Sequence, residues 1–154
     1  MNKFLMLAVA SIFMTSCAVT HFESPKDTIE VIELNDTKDK LYIKANEWMV
    51  TTFGSAKSVI QFSDKDEGII KGKYLMKEGQ ARTQYVPETK DYFAIITIRV
   101  KENASKIEIS PVGKFYSQKM YGKELGFTPL MFNTSADAII DEFETYMKKE
   151  SSDW

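Results

Sequence analysis

The chain is poor in the residues that most often carry chemistry. It has one cysteine and one histidine in 154 residues, so no intrachain disulfide and no cysteine-based zinc cluster can be built, and most imidazole catalysis is out of reach. Neither sign of charge dominates: 20 Lys plus Arg stand against 22 Asp plus Glu, a formal net charge of −2. No overall positive field exists to hold a polyanion such as DNA, and no nucleic-acid partner is expected. An uncharged apolar run long enough to cross a bilayer as a helix, about 20 residues, is also missing. What remains, 44% hydrophobic and 27% charged residues, describes one ordinary globular domain.

The longest apolar run, Phe4 to Met14, has eleven residues, follows Lys3 and is followed by Thr15, Ser16 and Cys17. This is the layout of a secretory signal. Met14-Thr15-Ser16-Cys17 resembles the lipobox of bacterial lipoproteins, in which cleavage precedes the Cys and the Cys is acylated, although the family more often has Leu where Met14 stands. One acyl chain holds a protein only marginally, whereas several anchor it stably. The resemblance implies lipidation of Cys17 and a membrane partner reached through that N-terminal lipid. Ala18, where inner-membrane retention resembles a preference for Asp, points to the periplasmic face of the outer membrane. The expected division is a signal peptide at 1–16, lipidated Cys and tether at 17–26, a single domain at 27–150 and a frayed tail at 151–154. His21 falls in the tether with no second ligand beside it.

Within the domain, Thr28–Leu34 alternates as a strand. Asn35, Asp36 and Thr37 offer N-caps for a helix whose apolar face carries Leu41, Ala45, Trp48, Met49 and Phe53, closed by Gly54. Ser58–Ser63 and Ile69–Met76 flank the polar turn Asp64-Lys65-Asp66-Glu67-Gly68 as a hairpin. Tyr92–Lys101 and Lys106–Ser110 form a second hairpin. Tyr121–Asn133 reads as a partly packed loop, and Ala136, Ile139, Ile140, Phe143 and Met147 mark a second amphipathic helix with Thr134 near its cap. The fold class is therefore α+β in two layers, β-α-β-β-β-β-α, with an antiparallel five-stranded sheet covered on one face by two helices.

The lipobox, the Glu47-Trp48 pair in KANEWMVTTFGSAKSVIQF, the Asp66-Glu67-Gly68 turn and this element order together resemble a family of Gram-negative lipoproteins of unknown function with a TATA-binding-protein-like (TBP-like) fold. The resemblance spans roughly Asp27 to Lys149. It implies a shape, not TATA-box binding.

Catalytic constellations are absent from the sequence. Glu47 beside Trp48 is the one carboxylate singled out, and a solvated helix position accounts for it. Asp64, Asp66 and Glu67 lack the spacing of a calcium loop. No enzyme activity, cofactor or metal is expected. Two surfaces are candidates for binding. One is a basic sheet face of Lys71, Lys73, Arg99, Lys101 and Lys106, suited to an anionic glycan, a lipid headgroup or an acidic envelope protein. The other is an aromatic loop with Tyr121, Phe127, Met131 and Phe132. The expected role is a non-catalytic envelope binding module. The alternative is a periplasmic carrier holding an apolar molecule between helix and sheet, against Tyr74, Tyr92 and Phe143.

Overall fold

The computed structural model describes residues 20–54, 60–84, 88–120 and 123–149. The signal segment 1–16, Cys17, Tyr121 and the tail 151–154 lie outside the described residues.

The main sheet follows from alternation. Five strands, β2 (Thr28–Glu33), β3 (Ile60–Asp64), β4 (Ile69–Lys77), β5 (Tyr92–Lys101) and β6 (Ala104–Pro111), pair antiparallel in the order β2-β6-β5-β4-β3. Central β5 buries Tyr92, Ala94, Ile96, Ile98 and Val100 on one side, joined by Ile107 and Ile109 of β6 and Ile70 of β4. Period two is what a sheet with one covered face requires.

Two helices, α1 (Lys38–Phe53) and α2 (Pro129–Lys148), lie on that face. Of three candidate caps before α1, Thr37 does the work: its side chain accepts from Lys40 N at 3.4 Å. Gly54, left-handed at φ +70°, ends the helix by donating its N–H to the Val50 carbonyl, a conformation glycine adopts without a Cβ penalty. Leu41, Ala45, Trp48 and Met49 are buried. Trp48 meets Phe53 and, across the helix pair, Phe143 edge-on at a centroid distance of 4.8 Å; such pairs add about 0.5–1.5 kcal/mol beyond area burial. Lys44 of α1 reaches the end of α2, donating to the carbonyls of Met147 (2.7 Å) and Lys149. A cation at a helix C-terminus suits both the unpaired carbonyls and the dipole.

Three local expectations need correction. The second helix starts at Pro129, with Thr128 as N-cap accepting from Met131 N at 3.1 Å; Pro at the first helical position has no N–H to leave unpaired, so Thr134 is interior. Part of the segment read as a loop, Tyr121–Asn133, forms β8 (Lys123–Gly126), which pairs with β7 (Phe115–Met120), a strand just before it that the sequence reading did not assign. Within the stretch read as a tether, β1 (Thr20–Glu23) pairs with β7, Thr20 opposite Gln118 and Glu23 opposite Phe115, giving a second sheet β1-β7-β8. Such short strands, made by pairing rather than by amphipathic alternation, leave little trace in sequence.

Candidate binding surface

The helices cover one face of the main sheet and leave the other open, and register decides which side chains stand there. Directly opposed residues of antiparallel strands share a face. One row across the open face therefore runs Asp64, Ile69, Arg99, Lys106, Val31, and the next runs Phe62, Lys71, Thr97, Glu108, Ile29. Lys73, Ile95 and Ser110 make a third, and Lys101 stands opposite Ala104, itself opposite Glu33. All five residues of the anticipated basic face, Lys71, Lys73, Arg99, Lys101 and Lys106, thus share the uncovered side. Three carboxylates, Glu33, Asp64 and Glu108, share it with them.

The cations are unevenly neutralised. Lys106 Nζ lies 3.3 Å from Glu108 Oε2, and Lys73 Nζ sits 4.1 Å above the Phe93 ring, a favourable cation–π arrangement. The side chains of Lys71, Arg99 and Lys101 have no ion pair or hydrogen bond among the described residues. Arg99 directly faces Lys106 across the β5–β6 ladder, a like-charge pairing that destabilises a sheet.

Apolar side chains border the cations. Ile29 (49% exposed) and Val31 (56%) stand on the edge strand β2, and Phe62 (51%) on the opposite edge strand β3. Phe62 reaches the open face through a register shift between Ile60 and Phe62, and such a bulge re-aims side chains at sheet edges. Sequence reasoning missed these three. The run Ile29-Glu30-Val31-Ile32 offers apolar residues to both faces, and only Ile32 is core.

A shallow cavity of about 270 Å³ opens at the end of this face next to the β5–β6 turn, lined by Val31, Arg99, Lys101 and Lys106 with Val100, Ala104 and Ser105. No carboxylate lines it. A larger depression of about 570 Å³, among Glu88 to Tyr92 and Val112 to Lys114, mixes Lys90 and Lys114 with Glu88 and Asp91 and has no net sign.

The other candidates disperse. Phe127 (3% exposed) and Phe132 (0%) are core residues, not a surface: Phe115 packs on both rings, and Tyr92 joins the cluster against Phe115 and Phe127. The physical reason is the early start of α2, which folds Phe132 inward and leaves Met131, with Leu130, facing solvent. Of the residues assigned to a carrier cavity, Phe143 is buried against Trp48, Tyr92 belongs to the cluster just described, and half-buried Tyr74 meets Phe53 with the rings tilted by 50° at a centroid distance of 4.6 Å. Glu47 is exposed on α1. In the acidic turn, Asp64 Oδ1 accepts from Glu67 N at 3.0 Å and Lys65 pairs with Asp39. Among the described residues no group of three or more His, Cys, Asp or Glu gathers to hold a metal ion, and no helix is long and apolar enough to cross a membrane.

A family model described as a domain of unknown function (DUF4468) with TBP-like fold matches residues 28–113, more than half of the chain. The chain belongs to the DUF4468 family. A DUF4468 protein of Bacteroides ovatus superposes with a TM-score of 0.52 at 11% identity, covering 82% of this chain and 88% of its own. A TBP-like protein of Parabacteroides distasonis superposes at 0.50 with 15% identity, covering 89% and 97%. At such identities the likeness establishes the TBP-like fold alone. No curated protein matches the chain. In DUF4468 terms the matched segment, from β2 to Gly113, contains the whole main sheet and α1 and ends before β7, β8 and α2.

Proposed function

We propose that this DUF4468 protein is a non-catalytic binding module of the bacterial envelope, lipid-anchored through Cys17, that takes an anionic ligand on its open sheet face. The observation carrying the reading is charge placement. On a chain of net charge −2, five cations against three carboxylates stand together on the one sheet face that the helices leave uncovered, and three of the five have no ion-pair or hydrogen-bond partner among the described residues. Charge complementarity selects an anionic occupant over a neutral one. The lipobox supports the anchor, and Ala18 supports the outer membrane.

The test has two arms. Intact-mass analysis of the protein extracted from its own membrane is expected to give residues 17–154 plus acyl chains; an unacylated chain would remove the anchor. On a sulfated polyanion resin at low salt, the protein is expected to be retained despite its net negative charge. Reversing Lys71, Lys73 and Arg99 to Glu together should abolish retention. Equal elution of parent and triple variant would refute the open face as the binding surface.

A further inference from the structure

The open face is not uniformly basic, and two of its three unpaired cations, Arg99 and Lys101, stand at its concave place. Around the cavity by the β5–β6 turn, Arg99 and Lys106 oppose each other across the ladder, Lys101 follows Arg99 on the same face, and Val31 closes the side toward the edge strand. Folding alone gains nothing from this arrangement. Directly opposed like charges cost stability, and among the described residues only Lys106 of the three is ion-paired with a carboxylate.

We infer that this cavity is a phosphoryl-group site, with Arg99 as its central donor and Lys101 and Lys106 flanking it. Three features select the ligand. A guanidinium offers a planar fork of N–H donors matched to phosphate oxygens, and two ammonium groups add point charge without competing for that fork. A volume of about 270 Å³ falls at the lower edge of small-molecule pockets, about 300 Å³, so it admits one headgroup rather than a polymer. Two unpaired cations, Arg99 and Lys101, beside Lys106, which is shared with Glu108 outside the lining, match a dianionic monoester better than a single carboxylate. The phosphoryl group could be presented by a membrane lipid or by a soluble phosphate ester, and both share this chemistry. The inference rests on the open face being the binding surface.

The experiment is lysine acetylation footprinting of the full-length protein held in nanodiscs. In phosphatidylcholine discs, millimolar sn-glycerol 3-phosphate is expected to slow acetylation of Lys101 and Lys106 at least threefold, with Lys90 and Lys114 unchanged and sodium chloride of equal ionic strength without effect. Discs doped with phosphatidic acid present the same headgroup from the bilayer, so protection in those discs alone supports the site and assigns the lipid source. Arg99→Ser should abolish protection and Arg99→Lys should restore part of it. Because Arg99→Ser also removes the like-charge pair, its melting temperature should not fall, which separates loss of binding from loss of fold. Protection from neither source, or protection unaffected by Arg99→Ser, would overturn the site. If the protein is still retained on the polyanion resin in that event, the wider reading of the face survives and only the phosphoryl assignment fails.

Discussion

Gly68 is a position where a positive φ and a close backbone neighbour together should make a single added methyl group costly. It sits in the Asp66-Glu67-Gly68 turn at φ +68°, and three things converge there. Its N–H donates to the Lys65 carbonyl, its own carbonyl accepts from Val100 N at 2.8 Å, and Lys38 Nζ reaches back to the Asp66 carbonyl. A Cβ at Gly68 would come within 2.5 Å of the Val100 carbonyl oxygen and 2.9 Å of Lys38 Cε. The lysine end is flexible, but the Val100 oxygen belongs to the backbone of central strand β5 and has little freedom to retreat. For Gly68→Ala, the left-handed backbone costs about 1–2 kcal/mol for an L-residue, and losing the Val100–Gly68 hydrogen bond adds about 0.5–1.5 kcal/mol. The expected destabilisation is roughly 1.5–3.5 kcal/mol. Gly54 supplies the control. Its φ is +70° but nothing lies within 4 Å of a built Cβ, so Gly54→Ala should show only the conformational part. Gly68→Asn refines the comparison, since Asn tolerates the left-handed region yet still carries the clashing Cβ. Urea denaturation followed by tryptophan fluorescence, with unchanged slope for all variants, reads the difference. If Gly68→Ala falls within about 0.5 kcal/mol of Gly54→Ala, the steric argument is wrong and the turn yields more than its geometry implies.

Two further outcomes test the interior and the helix pair. The Ser105 hydroxyl is fully buried with no hydrogen-bond partner among the described residues, so Ser105→Ala should be neutral or stabilising by up to about 1 kcal/mol; a clear loss of stability in urea would mean the hydroxyl has a partner. Lys44→Met keeps the aliphatic stem but removes the donor to the Met147 and Lys149 carbonyls, and should cost about 1 kcal/mol, with faster amide exchange in the last turn of α2 as the local check.

Much of this architecture was legible because alternation is unambiguous in β5 and β6. Ile96, Ile98, Ile107 and Ile109 fall on one side, and Lys71, Lys73, Arg99, Lys101 and Lys106 follow onto the other once β4, β5 and β6 are neighbours. The resemblance to a TBP-like lipoprotein family gave the fold, and the family match bears out the fold and the family. What escaped had weak local signals. β1 and β8 have four residues each; strands this short depend on their pairing partners more than on their own propensity. Phe127 and Phe132 read as part of a binding surface because aromatic and Met residues are enriched at interfaces and loops carry function more often than cores do. Thr128-Pro129 instead starts a helix there, turning Phe132 inward beside Phe115. Ile29, Val31 and Phe62 were the converse case, apolar residues that the edges of the sheet leave outside.

Those three residues sharpen the functional argument, because stability and binding make opposite demands on them. Each is about half exposed and stands on an edge strand, where an apolar residue invites unwanted pairing with another chain. A face that served solubility alone would carry polar groups at all three. Replacing Ile29, Val31 and Phe62 together with Thr, Thr and Ser removes apolar area that is already largely hydrated, so the cost in stability should stay near 1 kcal/mol in total, well under the roughly 2–5 kcal/mol of one large core truncation. Phe143→Ala, at a fully buried position, provides that comparison within the same molecule. If the open face grips its ligand by apolar rim as well as by charge, the triple variant should fold normally and still elute earlier from the polyanion resin. It should also keep the salt dependence set by the five cations. Retention identical to the parent would confine recognition to charge. A loss of several kcal/mol would show that the three side chains hold the sheet together after all.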